Sequence, residues 1–316
     1  MSTPEFVPSS SIKGIVLKLG SVVLFVAMAA MMKATSDTVP PGEMVFFRSF
    51  FGIVPILTWL LIVHGFHDGL GVKKPASHVL RGVIGTTAMA LNFAALAFLP
   101  LPEATAIGYA APILTVIFAA LFLGERVRIV RISAVILGLI GVLIVLWPQL
   151  SGNIGAAVGT DNARLGAMLA LIGAGFSALA AIQIRRMVNT ERPTAIAFWF
   201  ACTASVLSLF TLPFGWVVPS PGHLALLIGA GLLGGTAQIL MTTGYRFADA
   251  SVLAPLDYTS MIFALAIGYG VFGEIPASST LVGSAVVIAA GVLIIWRERQ
   301  LGIERRRQRK ASTPQG

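Results

Sequence analysis

The sequence of 316 residues is 56% hydrophobic and only 11% charged, with a mean hydropathy of +0.89. Soluble domains carry about 25% charged residues, so this composition excludes a soluble enzyme or binding domain and indicates a polytopic membrane protein. The net charge of +9 does not indicate a nucleic-acid-binding protein, because most basic residues lie in short polar connections beside apolar segments.

Ten apolar segments follow one another along the chain, each long enough to cross a hydrocarbon core of about 30 Å as a helix. The first one resembles a signal peptide, with Lys13 and Lys18 before an apolar run, but no exported soluble domain follows it, so we expect it to be retained. The sequence therefore predicts an all-α polytopic membrane protein with ten transmembrane helices, at 13–33, 43–63, 80–99, 104–123, 130–148, 165–184, 194–214, 223–246, 250–272 and 278–297.

The distribution of Lys and Arg predicts the orientation of these spans. With a cytoplasmic N-terminus, all but three of the 22 Lys and Arg residues fall on the cytoplasmic side, and only Lys33, Arg48 and Arg164 fall on the outer side. The positive-inside rule then places both termini in the cytoplasm, and we expect a multi-pass protein of the bacterial inner membrane. The basic tail within 298–316 is expected to rest on anionic lipid.

The two halves of the chain are related by a sequence repeat. Shifting 103–125 by 149 positions places Tyr109 on Tyr258 and Glu125 on Glu274. Because each half holds five spans, an odd number, the second copy enters the membrane in the opposite direction, as in many secondary transporters. We therefore predict two inverted five-helix repeats, with a cytoplasmic N-terminus at 1–12, a first repeat at 13–148, an external linker at 149–164, a second repeat at 165–297 and a cytoplasmic tail at 298–316.

Three stretches resemble the EamA family of the drug/metabolite transporter superfamily. They are PEATAIGYAAP to FLGE at Pro102–Glu125, GYRFADASVLAPLDY at Gly244–Tyr258, and Glu43 followed by Phe46-Phe47-Arg48. The resemblance implies a ten-helix permease with a central cavity that transports a small organic metabolite by alternating access. The family includes carriers similar to S-adenosylmethionine and riboflavin uptake carriers and also exporters of amino acids, so substrate and direction stay open.

Polar and aromatic side chains inside the spans are the candidates for substrate binding or coupling. A charge inside a membrane costs about 2.5–3.5 kcal/mol, so we expect Asp257 to face the cavity and to bind a cationic group, carry a proton or pair with a cation elsewhere. Unpaired amides are also costly in hydrocarbon, which places Asn92 and Gln238 in the protein interior. The full candidate set is Asp257, Tyr109, Tyr258, Asn92, Gln238, Thr242, Tyr245, Ser260 and Trp199.

Charged residues at the ends of spans suggest gates or local structure. Glu43 and Arg48 lie at the predicted outer end of span two and form either an outer gate or an anion-attracting vestibule, or else make local ion pairs and snorkel toward the headgroups. Glu125 and Glu274 follow Gly at helix ends, and we expect them to order the adjoining connections.

Together these features predict a secondary carrier without a cofactor. The chain has no Walker sequence, and His64, His67 and His78 lack the spacing of a metal site, so we expect neither ATP nor a metal. The polar residues suit a cationic or zwitterionic metabolite with an aromatic portion, and Asp257 suggests proton coupling. A membrane-embedded enzyme acting on lipid-linked groups would need a nucleophile and a base, which we do not find; a channel and a homodimer stay open.

Overall fold

The computed structural model describes residues 8–63, 70–123, 129–151, 160–187, 190–247, 254–290 and 292. All regular structure in these residues is helical, which confirms the all-α prediction. The α-helices are α1 Pro8–Thr35, α2 Pro41–Val63, α3 Pro75–Leu96, α4 Leu101–Gly108, α5 Ala110–Leu123, α6 Ile129–Ser151, α7 Thr160–Met187, α8 Pro193–Leu209, α9 Pro221–Phe247, α10 Ser260–Phe272 and α11 Ser278–Ala290. Short 3-10 helices at Leu212–Phe214 and Ala254–Thr259 precede α9 and α10.

Proline marks the start of many of these helices. Pro lacks the backbone N–H that would be unpaired in the first turn anyway, so this position tolerates it well. The predicted spans begin a few residues late where such prolines were treated as part of a connection. The helices that begin at proline are α1, α2, α3, α8 and α9.

Several helices are long and apolar enough to cross a membrane. Among the described residues these are the segments Ile12–Thr35, Pro41–Ile62, Pro75–Leu96, Asn162–Ile184 and Pro221–Met241, and shorter apolar helices cover Ile136–Trp147, Thr194–Leu209, Leu256–Phe272 and Ser278–Ala290. Large hydrophobic side chains such as Ile62, Trp147 and Val271 are exposed on the outside of the bundle, as suits contact with lipid. The chain is a multi-pass membrane protein, and the count of ten spans stays a prediction.

Glycine permits two pairs of helices to approach backbone to backbone. A Cβ added to Gly283 of α11 would lie 2.6 Å from the carbonyl oxygen of Gly141 in α6, and a Cβ on Gly141 would lie 2.8 Å from that of Gly283. A Cβ on Gly235 of α9 would collide with the carbonyl oxygen of Gly52 in α2. Membrane helices associate through such small residues because lipid offers no hydrophobic driving force between them.

The bundle has a lower and an upper end, which the direction of α1 defines. The lower end is where α1 begins, and the upper end is where α1 ends. Helix α1 packs along α9, and α3 packs along α7. The connection between α3 and α4 lies at the upper end beside Lys33, whereas Glu191, before α8, lies beside Lys74 at the lower end.

Candidate functional site

A cavity of about 510 Å³ lies among α1, α2, α3, α4, α7, α8 and α9, which is within the usual range for a small-molecule site. Its wall is mostly apolar, with Phe25, Met28 and Phe93 as examples. Helices from both halves of the chain contribute to it. The polar side chains in the wall are Arg48, Arg81, Asn92, Thr105, Ser177 and Gln238.

Two arginines are the charged groups of the described cavity wall. Arg48 and Arg81 are only 7% and 8% exposed. Their guanidinium carbons lie 5.7 Å and 4.2 Å from the centroid of the Phe200 ring, within the range of cation–π contacts. Among the described residues, Nε of Arg48 and both Nε and Nη1 of Arg81 have no hydrogen-bond partner. The wall of the cavity is therefore positively charged.

Glu43 does not supply a counter-charge to Arg48. Its carboxylate is buried, and Oε2 accepts a hydrogen bond of 3.0 Å from the backbone N–H of Val217. Among the described residues, Glu43 and Arg48 form no ion pair with each other. The local ion pair considered from the sequence is therefore not present. Arg48 reaches into the cavity instead of toward the headgroups.

The two amide candidates both line the cavity. Asn92 of α3 donates from Nδ2 to Oγ of Ser177 in α7 over 3.4 Å, and Gln238 of α9 lies in the opposite half of the chain. The cost of an unpaired amide in hydrocarbon explains why they face the interior.

Asp257 lies outside the cavity wall and pairs with a lysine. Its Oδ1 lies 2.5 Å from Nζ of Lys18, and the Lys18 side chain is 3% exposed whereas that of Asp257 is 44% exposed. Of the three roles expected for Asp257, the structure contains the pairing with a cation on another span. The pair joins α1 to the 3-10 helix Ala254–Thr259, which precedes α10.

Tyr109 and Tyr258, which occupy equivalent positions in the sequence repeat, contact each other. Their rings pack edge to face with centroids 5.2 Å apart. The Tyr109 hydroxyl donates to the Tyr258 carbonyl oxygen at 3.2 Å and lies 2.8 Å from the Ser260 hydroxyl. All three lie outside the cavity wall, and the two tyrosines belong to the hydrophobic core.

Other candidates lie away from the cavity or outside the described part of the chain. Trp199 is exposed, and its indole N–H donates to the Leu70 carbonyl oxygen at 3.2 Å. The side chains of Thr242 and Tyr245 are not among those described, and neither are the residues Glu125, 152–159 and 298–316.

A second ion pair lies at the upper end. Glu274 Oε1 lies 2.9 Å from Lys33 Nζ, while Oε2 accepts from the N–H of Leu101 at 2.8 Å. Lys33 also donates to the carbonyl oxygens of Leu99 and Leu96 at 2.7 Å and 3.3 Å. Glu274 thus orders the connection after α10, as the sequence suggested, and also joins it to α1 and to the start of α4.

Comparison with known proteins places this arrangement in a family. The sequence profile described as "EamA-like transporter family" matches residues 12–147 and 164–297. The chain belongs to the EamA-like transporter family. This EamA-like chain is a metabolite transporter and not an enzyme.

The relatives of this EamA-like transporter include proteins named for export and proteins named for uptake. The pseudopaline exporter CntI of Pseudomonas aeruginosa is 26% identical over 89% of this chain and 95% of its own length. An S-adenosylmethionine uptake transporter of Rickettsia bellii is 29% identical over 82% of this chain and 84% of its own. A riboflavin transporter of Rhizobium johnstonii is 30% identical over 75% of this chain and 73% of its own.

A solved crystal structure has the same fold. It superposes with a TM-score of 0.65 over 91% of this chain and 98% of its own, at 19% sequence identity. At that identity the likeness concerns the fold alone.

Sequence reasoning missed Arg81 as a residue of the transporter's cavity. We counted it among the cytoplasmic charges, but it lies six residues into α3, about 9 Å from the helix start at 1.5 Å per residue. The predicted span begins at residue 80, so the sequence puts Arg81 at the edge of the span and only the earlier start of α3 at Pro75 makes it a buried charge.

Glu191 is a second residue that sequence reasoning missed. Its carboxylate accepts hydrogen bonds from the N–H groups of Lys74 at 2.8 Å and Lys73 at 3.0 Å, and lies 3.5 Å from His78 Nε2. Burial tends to raise the pKa of Glu191, but these amides and the imidazole together hold the pKa below its ordinary value. The residue therefore fastens the start of α3 to the start of α8 at the lower end.

Proposed function

We propose that this EamA-like transporter is a secondary carrier that moves a small organic metabolite across the bacterial inner membrane by alternating access. The observation that carries the proposal is the cavity of about 510 Å³, whose wall combines helices of both halves and holds the buried Arg48 and Arg81. A site between two halves can be exposed to either side in turn when the halves rock about it.

The helix contacts support a pair of inverted repeats at 13–148 and 165–297, with ten spans in all. When each span of the first repeat is matched with the span five positions later, α1 corresponds to α7, α2 to α8 and α3 to α9. The contact between α1 and α9 then corresponds to that between α7 and α3, and the contact between α2 and α9 to that between α8 and α3. Such paired contacts are what a twofold axis in the membrane plane produces.

The interrupted helices support the same symmetry. Span four is broken at Tyr109, between α4 and α5, and span nine changes from a 3-10 to an α-helix after Thr259. These breaks lie 150 positions apart, nearly the 149-residue spacing of the repeat, and the tyrosines beside them contact each other.

Two ion pairs suit the role of alternate closures. Lys18 and Lys33 both lie on α1, about 22 Å apart at 1.5 Å per residue. Lys18 binds Asp257 just before α10, and Lys33 binds Glu274 just after it. With both termini in the cytoplasm, Lys33–Glu274 would close the outer end and Lys18–Asp257 the inner end. Protonation of the half-exposed Asp257 would release Lys18, which is the basis for proposing proton coupling.

The cavity wall favours a zwitterionic over a purely cationic metabolite. Its charged side chains are Arg48 and Arg81, whereas Asp257 lies elsewhere and is paired with Lys18. Aromatic side chains such as Phe25, Phe93 and Phe200 suit an aromatic portion of the solute. The relatives' names include uptake of S-adenosylmethionine and riboflavin and export of pseudopaline, so the export of amino acids or related metabolites by the same architecture is the alternative.

Counterflow in proteoliposomes tests the carrier. Vesicles are loaded with an excess of S-adenosylmethionine, riboflavin or an amino acid mixture, and uptake of the same labelled solute is followed. A carrier gives transient accumulation above equilibrium for at least one solute, whereas a channel gives simple equilibration. The absence of counterflow for every solute, with protein correctly inserted, would contradict the proposal.

A further inference from the structure

We propose that Arg48 and Arg81 form an oxyanion site, which binds a carboxylate or phosphate group of the transported metabolite. This inference rests on the proposed carrier function and identifies the chemistry of its substrate. Both side chains are more than nine-tenths buried and both line the cavity. A buried cation without a partner is costly, so two of them in one cavity call for either an internal counter-charge or an anionic ligand.

The described residues supply no internal counter-charge. The described wall of the cavity contains neither Asp nor Glu. Outside the wall, the carboxylates of Asp257, Glu274 and Glu191 are already engaged by Lys18, Lys33 and His78. Glu43, on the same helix as Arg48, accepts from the Val217 amide instead. The two positive charges thus face the cavity together.

The guanidinium groups are held in place before any ligand arrives. Both lie over the ring of Phe200, so their central carbons are within about 10 Å of each other. Glycine makes room for them, since a Cβ on Gly85 would collide with Nη1 of Arg81 and a Cβ on Gly234 would lie 3.2 Å from Nε of Arg48. Preorganised guanidinium groups suit carboxylate and phosphate because their parallel N–H groups can donate to two oxygens at once.

The remaining wall indicates what the rest of the ligand is like. Phe25, Met28 and Phe93 offer apolar and aromatic surface, and Asn92 and Gln238 offer amides. The cavity therefore fits an amphipathic metabolite that carries its oxyanion beside Phe200 and its apolar portion against these residues.

Thermal unfolding of the empty protein separates a binding role from a structural one. Arg48→Met and Arg81→Met remove the charge but keep an apolar side chain that can lie on Phe200. If the arginines wait for a ligand, each variant has an unchanged or higher Tm without ligand, because a costly buried charge is gone. Lys13→Met, at an exposed lysine of α1, is the control for the change in net charge. A lower Tm for both cavity variants, with the control unchanged, would make the arginines structural and overturn the proposal.

Binding to the purified protein then tests the ligand class directly, with two pairs of probes that differ in the anionic group. Phenylalanine is compared with phenylalaninamide for carboxylate, and flavin mononucleotide with riboflavin for phosphate. We expect at least one oxyanion probe to bind about tenfold or more tightly than its partner without the oxyanion, and Arg48→Met or Arg81→Met to remove that difference while Lys13→Met keeps it. The pair that shows the preference identifies carboxylate or phosphate as the group.

Four results would count against the oxyanion site. Equal binding of the two members of both pairs would overturn it, as would binding of neither oxyanion, or an oxyanion preference that survives in the Arg48→Met/Arg81→Met double variant. Counterflow of the preferred oxyanion by that double variant, at the wild-type rate, would overturn this inference and leave the carrier function standing. Loss of counterflow for all solutes in the wild type would instead contradict the carrier function itself.

Discussion

At the scale of single residues, the ion pair of Asp257 with Lys18 connects protonation to helix packing. Lys18 is almost fully buried, so its ammonium group depends on this carboxylate more than the half-exposed Asp257 depends on the lysine. Lys18 also lies close to α9, since the backbone N of Lys18 is 3.7 Å from where a Cβ on Gly244 would be. A proton on Asp257 would therefore weaken contacts of α1 with the rest of the bundle.

Replacing Asp257 by Asn tests this connection. We expect Asp257→Asn to lower stability by about 2 kcal/mol, because it takes this carboxylate from the buried Lys18 ammonium but Asp257 itself is half-exposed, and to abolish the pH dependence of uptake in vesicles. The measurements are thermal unfolding and initial uptake rates between about pH 5.5 and pH 8. In the Lys18→Met/Asp257→Asn double variant stability should recover, but pH dependence should not. Unchanged pH dependence in Asp257→Asn would remove this acid from the coupling mechanism.

Glu191 predicts a second effect of pH, this time on stability alone. Its pKa is lowered in the folded state, so its contribution is fully present above its unfolded pKa of about 4.3 and is lost as the pH falls through the lower folded value. Glu191→Gln should lower the free energy of unfolding by about 1–2 kcal/mol at pH 7, and the difference from wild type should shrink on acidification below about pH 4. Unfolding in detergent across this range checks it, with Asp37→Asn as the control carboxyl. A difference that stays constant with pH would contradict it.

At the scale of helices, glycine sets the distance between α6 and α11. Each backbone lies within van der Waals reach of the other at Gly141 and Gly283, and Val145 and Val287 pack beside them. Gly175 of α7 differs, because a Cβ there would meet nothing within 4 Å. The two positions provide a matched pair in which the same substitution meets opposite surroundings.

The Gly to Ala substitution should therefore change sign between the two sites. Gly141→Ala forces a methyl group against the Gly283 carbonyl oxygen and should cost about 1–3 kcal/mol. Gly175→Ala should be neutral or raise stability by up to about 1 kcal/mol, since Ala has the higher helix propensity. Thermal unfolding of both variants in the same detergent gives the comparison. Equal effects at the two sites would show that the close approach of α6 and α11 is not required.

At the scale of the whole molecule, the long apolar segments were enough to predict an all-helical membrane protein, and the cost of buried amides was enough to place Asn92 and Gln238 inside. Neither argument identifies Arg81. The positive-inside rule counts a cation near a helix end as a surface charge, so it assigns Arg81 to the cytoplasmic side. Nor could the repeat alone show that Tyr109 and Tyr258 touch each other. Equivalence in sequence gives the symmetry of two residues, whereas their contact depends on how close they lie to the axis.

The two ion pairs of α1 predict opposite changes in access to the cavity. We expect Glu274→Gln to favour opening at the upper end and Asp257→Asn to favour opening at the lower end. In a Cys202→Ala background, which removes the native cysteine, Thr105→Cys places a thiol in the cavity wall. An impermeant thiol reagent added outside should label this thiol about tenfold faster in Glu274→Gln and more slowly in Asp257→Asn, with a tenfold change corresponding to about 1.4 kcal/mol.

The same labelling in inside-out vesicles is the control, where the order of the two variants should reverse. Identical labelling of both variants from both sides would contradict the assignment of these pairs as closures.

The close contacts at Gly52–Gly235 and Gly141–Gly283 restrict which parts of the molecule can slide. Two helices whose main chains touch have little room to slide along each other, so we expect α2 with α9, and α6 with α11, to keep these contacts while the two halves tilt about them. The shape change that carries a solute across would then amount to a tilt about these two contacts, with little rewinding of individual helices.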